Sequence, residues 1–182
     1  MFVSRLEFTH ERTEASLHIR AISESDADQF LLLTRKLDEE TVFRLYEPGE
    51  NLRSVEEERC WIREIISNPR SVLLVTEIDD CLVGYLMASG RDIARIKHVV
   101  HISIGILQSH TGKGIGTRLF AALEEWARTN DVHRLELTVM VNNPIAQALY
   151  SKMGFKIEGT KRDSLFVNGT YIDDIYMAKL IP

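Results

Sequence analysis

Three glycines at alternate positions, Gly112, Gly114 and Gly116, stand in the stretch HTGKGIGTRL, residues 110–119, with Lys113 between the first two. Glycine weakens a helix start unless the bare backbone is needed there. A β-branched strand pattern runs into these glycines and an amphipathic helix pattern runs out of them. The first N–H groups of a helix have no internal acceptor and carry the positive end of its dipole. A glycine-rich turn at that place therefore suits an anion, above all a phosphate, whose oxygens can approach the bare amides. Lys113 and Arg118 add positive charge. A plain strand-to-helix turn needs only one glycine, so three favour the phosphate cradle.

The spacing sorts among phosphate-binding turns. A Walker A loop follows Gly-Lys with Ser or Thr, whereas Gly112-Lys113 is followed by Gly114. A dinucleotide fingerprint requires G-x-G-x-x-G, and here the third glycine arrives one residue early. Glu136 lies where a ribose-binding acid would stand in such a unit, but too little chain follows the turn for a dinucleotide domain. A nucleotide-dependent phosphotransferase would also require a set of magnesium-binding carboxylates, and none is evident. His98 and His101 lack further ligands at a suitable spacing, so no metal site is expected.

The elements that must position this turn are legible as patterns. Residues 16–22 alternate as a strand. Residues 23–40 open with serines and early acids, as a helix start does. Residues 54–67 form a second helix with Ser54 and Glu57 as a capping box, stopped by Asn68-Pro69. Residues 71–78 and 81–90 flank Asp79-Asp80 as a hairpin. Residues 97–107 read as a buried strand. Ile115, Leu119, Ala122, Leu123 and Trp126 fall on one face of a helix running to about Asn130. Residues 134–141 alternate as a strand. Asn143 caps a further helix, with Pro144 at its first position and Gly154 as its stop. The end of the chain holds an Asn168-Gly169 hairpin turn. The predicted order is β-αα-βββ-α-β-α-ββ: an α/β fold, with a mixed sheet and one β-α-β crossover.

Composition narrows the function classes. The 182 residues fit one domain, 1–182, with a core over about 16–180, and 45% of them are hydrophobic. The net charge of −5 argues against a nucleic-acid partner, which would draw a basic stripe. No apolar run approaches the roughly 18 residues of a membrane span. Charges break up every short window of the N-terminal stretch, so no signal peptide is expected. Cys60 and Cys81 make no disulfide framework or Cys-x-x-Cys motif, which points to the reducing cytoplasm.

Two stretches together resemble the GCN5-related N-acetyltransferase (GNAT) family. TGKGIG, residues 111–116, is similar to that family's Arg/Gln-x-x-Gly-x-Gly/Ala loop, with Thr111 departing at the first position. NPIAQALYSKMGF, residues 143–155, carries Asn-x-x-Ala-x-x-Leu-Tyr-x-Lys-x-Gly-Phe at every specified position. A helix and a strand separate the two, in the family's order. The likeness covers about residues 16–180. It implies a mostly antiparallel mixed sheet with a central parallel crossover and helices on both faces, a cytoplasmic enzyme, and acetyl-CoA as cosubstrate without a metal. The implied reaction is direct attack of a primary amine, on a small molecule or a peptide N-terminus, on the thioester carbonyl. Homodimers are common in the family. A sensor of the same fold that binds acyl-CoA without turnover is the alternative.

The same resemblance distributes roles. Backbone N–H groups of Gly112, Lys113, Gly114, Gly116 and Thr117 would bind the pyrophosphate; Lys152 could reach the 3′-phosphate, but its pattern reads more often as solvated surface. Ile104, Gly105 and Ile106 would pair with the pantetheine amides as an added strand does; Gly105 reads equally as a bulge or as packing. Asn143 would touch the cofactor besides capping its helix. Tyr150 would donate to the leaving thiolate; its pattern alone reads as a buried aromatic. For the general base the residues offer Glu136 or His101, each also readable as an ordinary strand residue, or water alone. Asp173 and Asp174, between Tyr171 and Tyr176, could recognise an amine, but their pattern reads as an exposed strand face. Neighbours in a strand point to opposite faces, so at most one would line a pocket. No motif constrains the acceptor.

Overall fold

Short apolar alternations, joined at two hairpins by left-handed turns, build seven strands of this chain into one sheet. The structure is a computed structural model and describes residues 17–182. The N-terminal stretch read as carrying no signal peptide lies largely outside the described residues, as does Ser16 at the start of the first predicted strand. The elements are β1 (Leu17–Ala21), α1 (Ala27–Glu40), α2 (Val55–Ser67), β2 (Val72–Ile78), β3 (Cys81–Gly90), β4 (Val99–Ile106), α3 (Ile115–Thr129), β5 (Arg134–Met140), α4 (Pro144–Lys152), β6 (Lys156–Val167) and β7 (Thr170–Leu180). Their order is the one the patterns predict. The seven strands lie in the order β1-β2-β3-β4-β5-β7-β6, and β4 with β5 is the parallel pair, with α3 as its crossover.

Local chemistry sets the corners. Asp79 and Asp80 have φ of 50° and 60°, and Asn168 and Gly169 have 48° and 79°. Those left-handed pairs match the twist of the hairpins they close. At α2 the Ser54 hydroxyl accepts from the Glu57 N–H at 3.2 Å, and the Glu57 carboxylate accepts from the Ser54 N–H at 2.7 Å. That reciprocal cap satisfies two amides a helix end would otherwise leave bare.

The helices cover both faces. A Cβ on Gly105 would meet Leu37 of α1, whereas Ile106 reaches toward Gly116 of α3. Adjacent strand residues point to opposite faces, so α1 and α3 lie on opposite sides of β4. The buried face of α3 is rotated from the predicted one: Phe120 and Ala127 are fully buried, while Ala122 and Trp126 are only partly so. Packing decides this, since Phe120 meets Tyr150 edge-on at 5.8 Å and Phe155 at 5.5 Å. Truncating such a ring to alanine typically costs about 3–5 kcal/mol.

One irregularity positions the site. β4 and β5 pair only from Val99↔Arg134 to His101↔Glu136, although each strand continues. Beyond that point β4 stays with β3, β5 stays with β7, and the two halves of the sheet diverge. The Leu107 N–H donates to Val83 O at 2.9 Å, and the β3–β4 register runs without a slip. Backbone groups alternate in direction along a strand. The amide and carbonyl groups of Ile104 and Ile106 therefore turn away from β3, into the gap. On the far side the Val141 N–H donates to Asp173 O at 3.0 Å, so Thr138 and Met140 face the gap by the same alternation.

Candidate active site

The glycine turn opens at the wide end of that gap. Its three glycines answer two different needs. Gly112 and Gly114 have φ of +74° and +78°, and nothing stands near where a Cβ would be. Their backbone is left-handed, which costs a side-chain-bearing residue about 1–2 kcal/mol. Gly116 is different: a Cβ there would lie 2.7 Å from Leu149 Cδ2. It lets α4 pack closely on α3. Conformation and helix packing thus account for these glycines, beyond the expected access for an anion.

The result is still a bare set of amides. The Arg118 N–H donates to Gly114 O at 3.1 Å. From Gly112 to Thr117, no backbone N–H has an acceptor among the described residues. Thr111, where the family loop carries Arg or Gln, turns its hydroxyl back to Gln108 O at 2.8 Å and so closes the preceding turn. Lys113 is exposed on the loop.

These amides border a cavity of about 580 Å³ that runs along the gap. Ile104, Gly105, Ile106, Gly112, Gly114, Gly116, Thr117, Asn143, Tyr150 and Lys152 all line it, so the structure brings together nearly every binding residue the sequence nominated. Asn143 accepts the Ala146 N–H at 3.2 Å and caps α4 while bordering the cavity. For Gly105 the geometry gives the packing reading. A Cβ would stand 2.8 Å from both Leu37 Cδ1 and Tyr85 Cε1, and the β3–β4 register carries no bulge there.

Tyr150 enters from the α4 side, packed between Phe120 and Phe155 and 7% exposed. Burial pushes its phenol up to about 12, with Tyr85 adding to the rise. A phenol in that range stays protonated at neutral pH and can donate a hydrogen bond to a thiolate being expelled; its phenolate is the stronger base, so transfer of the proton to sulfur is completed only as solvent reprotonates Tyr150.

Glu136 and His101 are not brought to this cavity. They face each other in the closed part of the β4–β5 pair, before the strands diverge. Glu136 is held by Arg134 Nε at 2.9 Å, and His101 is exposed. Conversely, the cavity is lined by Arg44, which the sequence did not single out, and by Asp174, for which the sequence left amine recognition and an exposed strand face both open. Arg44, from the loop after α1, donates to Asp38 through Nε and to the Tyr85 hydroxyl at 2.7 Å through Nη1. Asp174 of β7, read as part of an exposed face, is buried and lines the cavity. No local motif signals Arg44 or Tyr85. For Asp174 the strand alternation was visible, but its partner strands were not.

A bare amide turn, a diverging parallel strand pair and a buried phenol in one cavity define an acyl-CoA-dependent transferase. Residues 33–155 match the acetyltransferase (GNAT) family, and the chain belongs to it as an acetyl-CoA-dependent N-acetyltransferase. L-amino acid N-acetyltransferase AaaT of Escherichia coli is 33% identical over 127 residues, spanning 68% of this chain and 76% of that protein. An acetyltransferase of the GNAT family from Streptococcus pneumoniae superposes with a TM-score of 0.88 at 27% identity, covering 92% of this chain and 100% of that one. A ribosomal-protein-alanine N-acetyltransferase from Brucella melitensis gives 0.79 at 27% identity, over 90% and 99%. Among the described residues no helix is long and apolar enough to cross a membrane, and Cys60 and Cys81 are free and exposed.

Proposed function

We propose that this chain, as one domain, moves acetyl from acetyl-CoA directly to the primary amine of a small molecule or a peptide N-terminus. The observation that carries the reading is the run of acceptorless amides opening on the same cavity as Tyr150. The pyrophosphate would take the N–H groups of Gly112, Lys113, Gly114, Gly116 and Thr117, at the positive end of α3. Lys152, on the rim, would meet the 3′-phosphate. Ile104 and Ile106 offer the pantetheine amides the backbone edge that β5 abandons, and Gly105 keeps that edge straight by making room for Tyr85. An N–H on this edge would polarise the thioester carbonyl. Tyr150 would protonate the departing thiolate. Two of the named relatives are an L-amino acid N-acetyltransferase and a ribosomal-protein-alanine N-acetyltransferase, and that supports an amine of this class as the acceptor. Titration calorimetry with acetyl-CoA is the direct test; saturable binding is expected, and its absence in folded protein would end this reading.

A further inference from the structure

Asp174 stands apart from the other buried acids among the described residues. Asp26, Asp38 and Glu58 are each paired with an arginine: Arg20, Arg44 and Arg53. Asp174 is 7% exposed and has no cation within ion-pair distance among those residues. Lys161 lies opposite it in the β6–β7 register but is itself exposed and forms no bridge to it. The Ser164 hydroxyl donates to Oδ2 at 3.0 Å, and Oδ1 has no hydrogen-bond partner. Oδ1 is not among the side-chain atoms sealed from solvent, so on a largely buried residue this free carboxylate oxygen is left open to the cavity that Asp174 lines, where a cation would complement it.

The position is a built one. Between the pairs Lys161↔Asp174 and Leu165↔Ile172, three residues of β6 stand against Asp173 alone. Asp163 in this bulge is left-handed, with φ of 49°, and its N–H donates to Asp173 Oδ1 at 2.8 Å. The bulge bends the hairpin and seats Ser164 on Asp174. Asp174 also lies opposite Met140 of β5, so their side chains share a face. Glu136 pairs with His101, hence even-numbered β5 side chains share the face of odd-numbered β4 ones, including Gly105. That is the α1 face, whereas Tyr150 comes from α4 on the other. A second cavity, also about 580 Å³, adjoins the first there and shares Phe43, Leu45, Met140 and Leu165 with it. An acceptor therefore has an entry on the side away from the tyrosine.

Resting on the acetyl-transfer reading above, we propose that Asp174 captures the acceptor as its ammonium ion and takes the first proton from it. The ammonium gives one proton to the carboxylate, which frees the nitrogen lone pair. The C–N bond forms as the C–S bond breaks. The nitrogen loses its second proton to water, and the thiolate gains the hydroxyl proton of Tyr150. Tyr150 is then reprotonated by solvent and Asp174 returns its proton to solvent. Capture and departure thus occur from opposite faces of the sheet.

The test compares wild type, Asp174→Asn and Asp174→Glu, each checked for its melting temperature and its acetyl-CoA affinity. The acceptors are a panel of cationic amines (L-amino acids, L-alaninamide, spermidine) and hydroxylamine, whose nitrogen is uncharged at neutral pH and which is small enough for any open cavity. With acetyl-CoA affinity intact, Asp174→Asn should lose about 100-fold or more in kcat/KM for the cationic amines and under about tenfold for hydroxylamine. Asp174→Glu should regain part of the loss; it also carries the comparison should the asparagine variant fail to fold. Equal losses for both acceptor types would assign Asp174 a structural role and overturn the proposal, as would no loss. It would equally fall if wild type binds acetyl-CoA yet acetylates none of the cationic amines. Failure of wild type to bind acetyl-CoA at all would sink the acetyl-transfer reading instead.

Discussion

The two sides of the cavity recognise by different means. On the α3 side the groups on offer belong to the backbone: the amides from Gly112 to Thr117 and the edge of β4. On the α1 side they belong to side chains, with Arg44, itself held by Tyr85, and Asp174 drawn from a loop and a distant strand. Backbone recognition tolerates many side chains but demands particular conformations, which is why it leaves glycines at fixed spacing. Side-chain recognition leaves no spacing, because its members meet only in space. Substitutions should therefore affect the two sides differently.

The largest expected effect on stability lies on the α1 side. Asp38 is 3% exposed and its charge is met by Arg44. Arg44→Met strands that carboxylate and should cost about 3–5 kcal/mol in denaturant unfolding, with Asp38→Asn added to it recovering most of the loss. If the single variant unfolds like wild type, the buried pair is not what holds the loop after α1. Next comes Tyr150→Phe, which keeps the ring and its packing. Turnover should fall about 100-fold or more while acetyl-CoA affinity holds. Unchanged turnover would remove the phenol from the mechanism.

The same variant carries a pH signature. Burial raises the Tyr150 value to about 12 in the folded state. Its stabilising contribution is therefore complete below the unfolded value of about 10 and is lost as pH rises through about 12. In an absorbance titration of the five tyrosines, the component near 12 should vanish in Tyr150→Phe.

Smaller effects belong to the α3 side. Gly116→Ala places a Cβ 2.7 Å from Leu149 and should cost about 1–3 kcal/mol, with Leu149→Ala relieving the clash in the double variant. Additive losses would show that the two helices are not in conflict there. Lys113→Ala is expected to be the mildest. Lys113 is exposed, so acetyl-CoA affinity should drop only severalfold, and less at high salt, without change in melting temperature. A loss of affinity as large as that from removing a buried group would make the cradle depend on side-chain charge and blur the contrast between the two sides.

Much of the fold and the cofactor side was legible in the chain itself. Alternation, caps and turn pairs such as Asn168-Gly169 are local, and local chemistry is written in neighbouring residues. The glycine turn and the 143–155 stretch identified the cradle and placed Tyr150, although not the separate reasons for Gly112 and Gly116. Glu136 and His101 looked suitable by residue type. Their exclusion depends on where two parallel strands stop pairing, a property of the sheet and of no single strand. Asp174 shows the converse. Its pattern reads as an exposed strand face, with amine recognition as the alternative, and only the bulge in β6 and the register against β5 bury it beside the cavity. The sequence by itself thus determined which backbone can be bare. The tertiary structure alone decided which charges are buried, because burial is set by partners far along the chain.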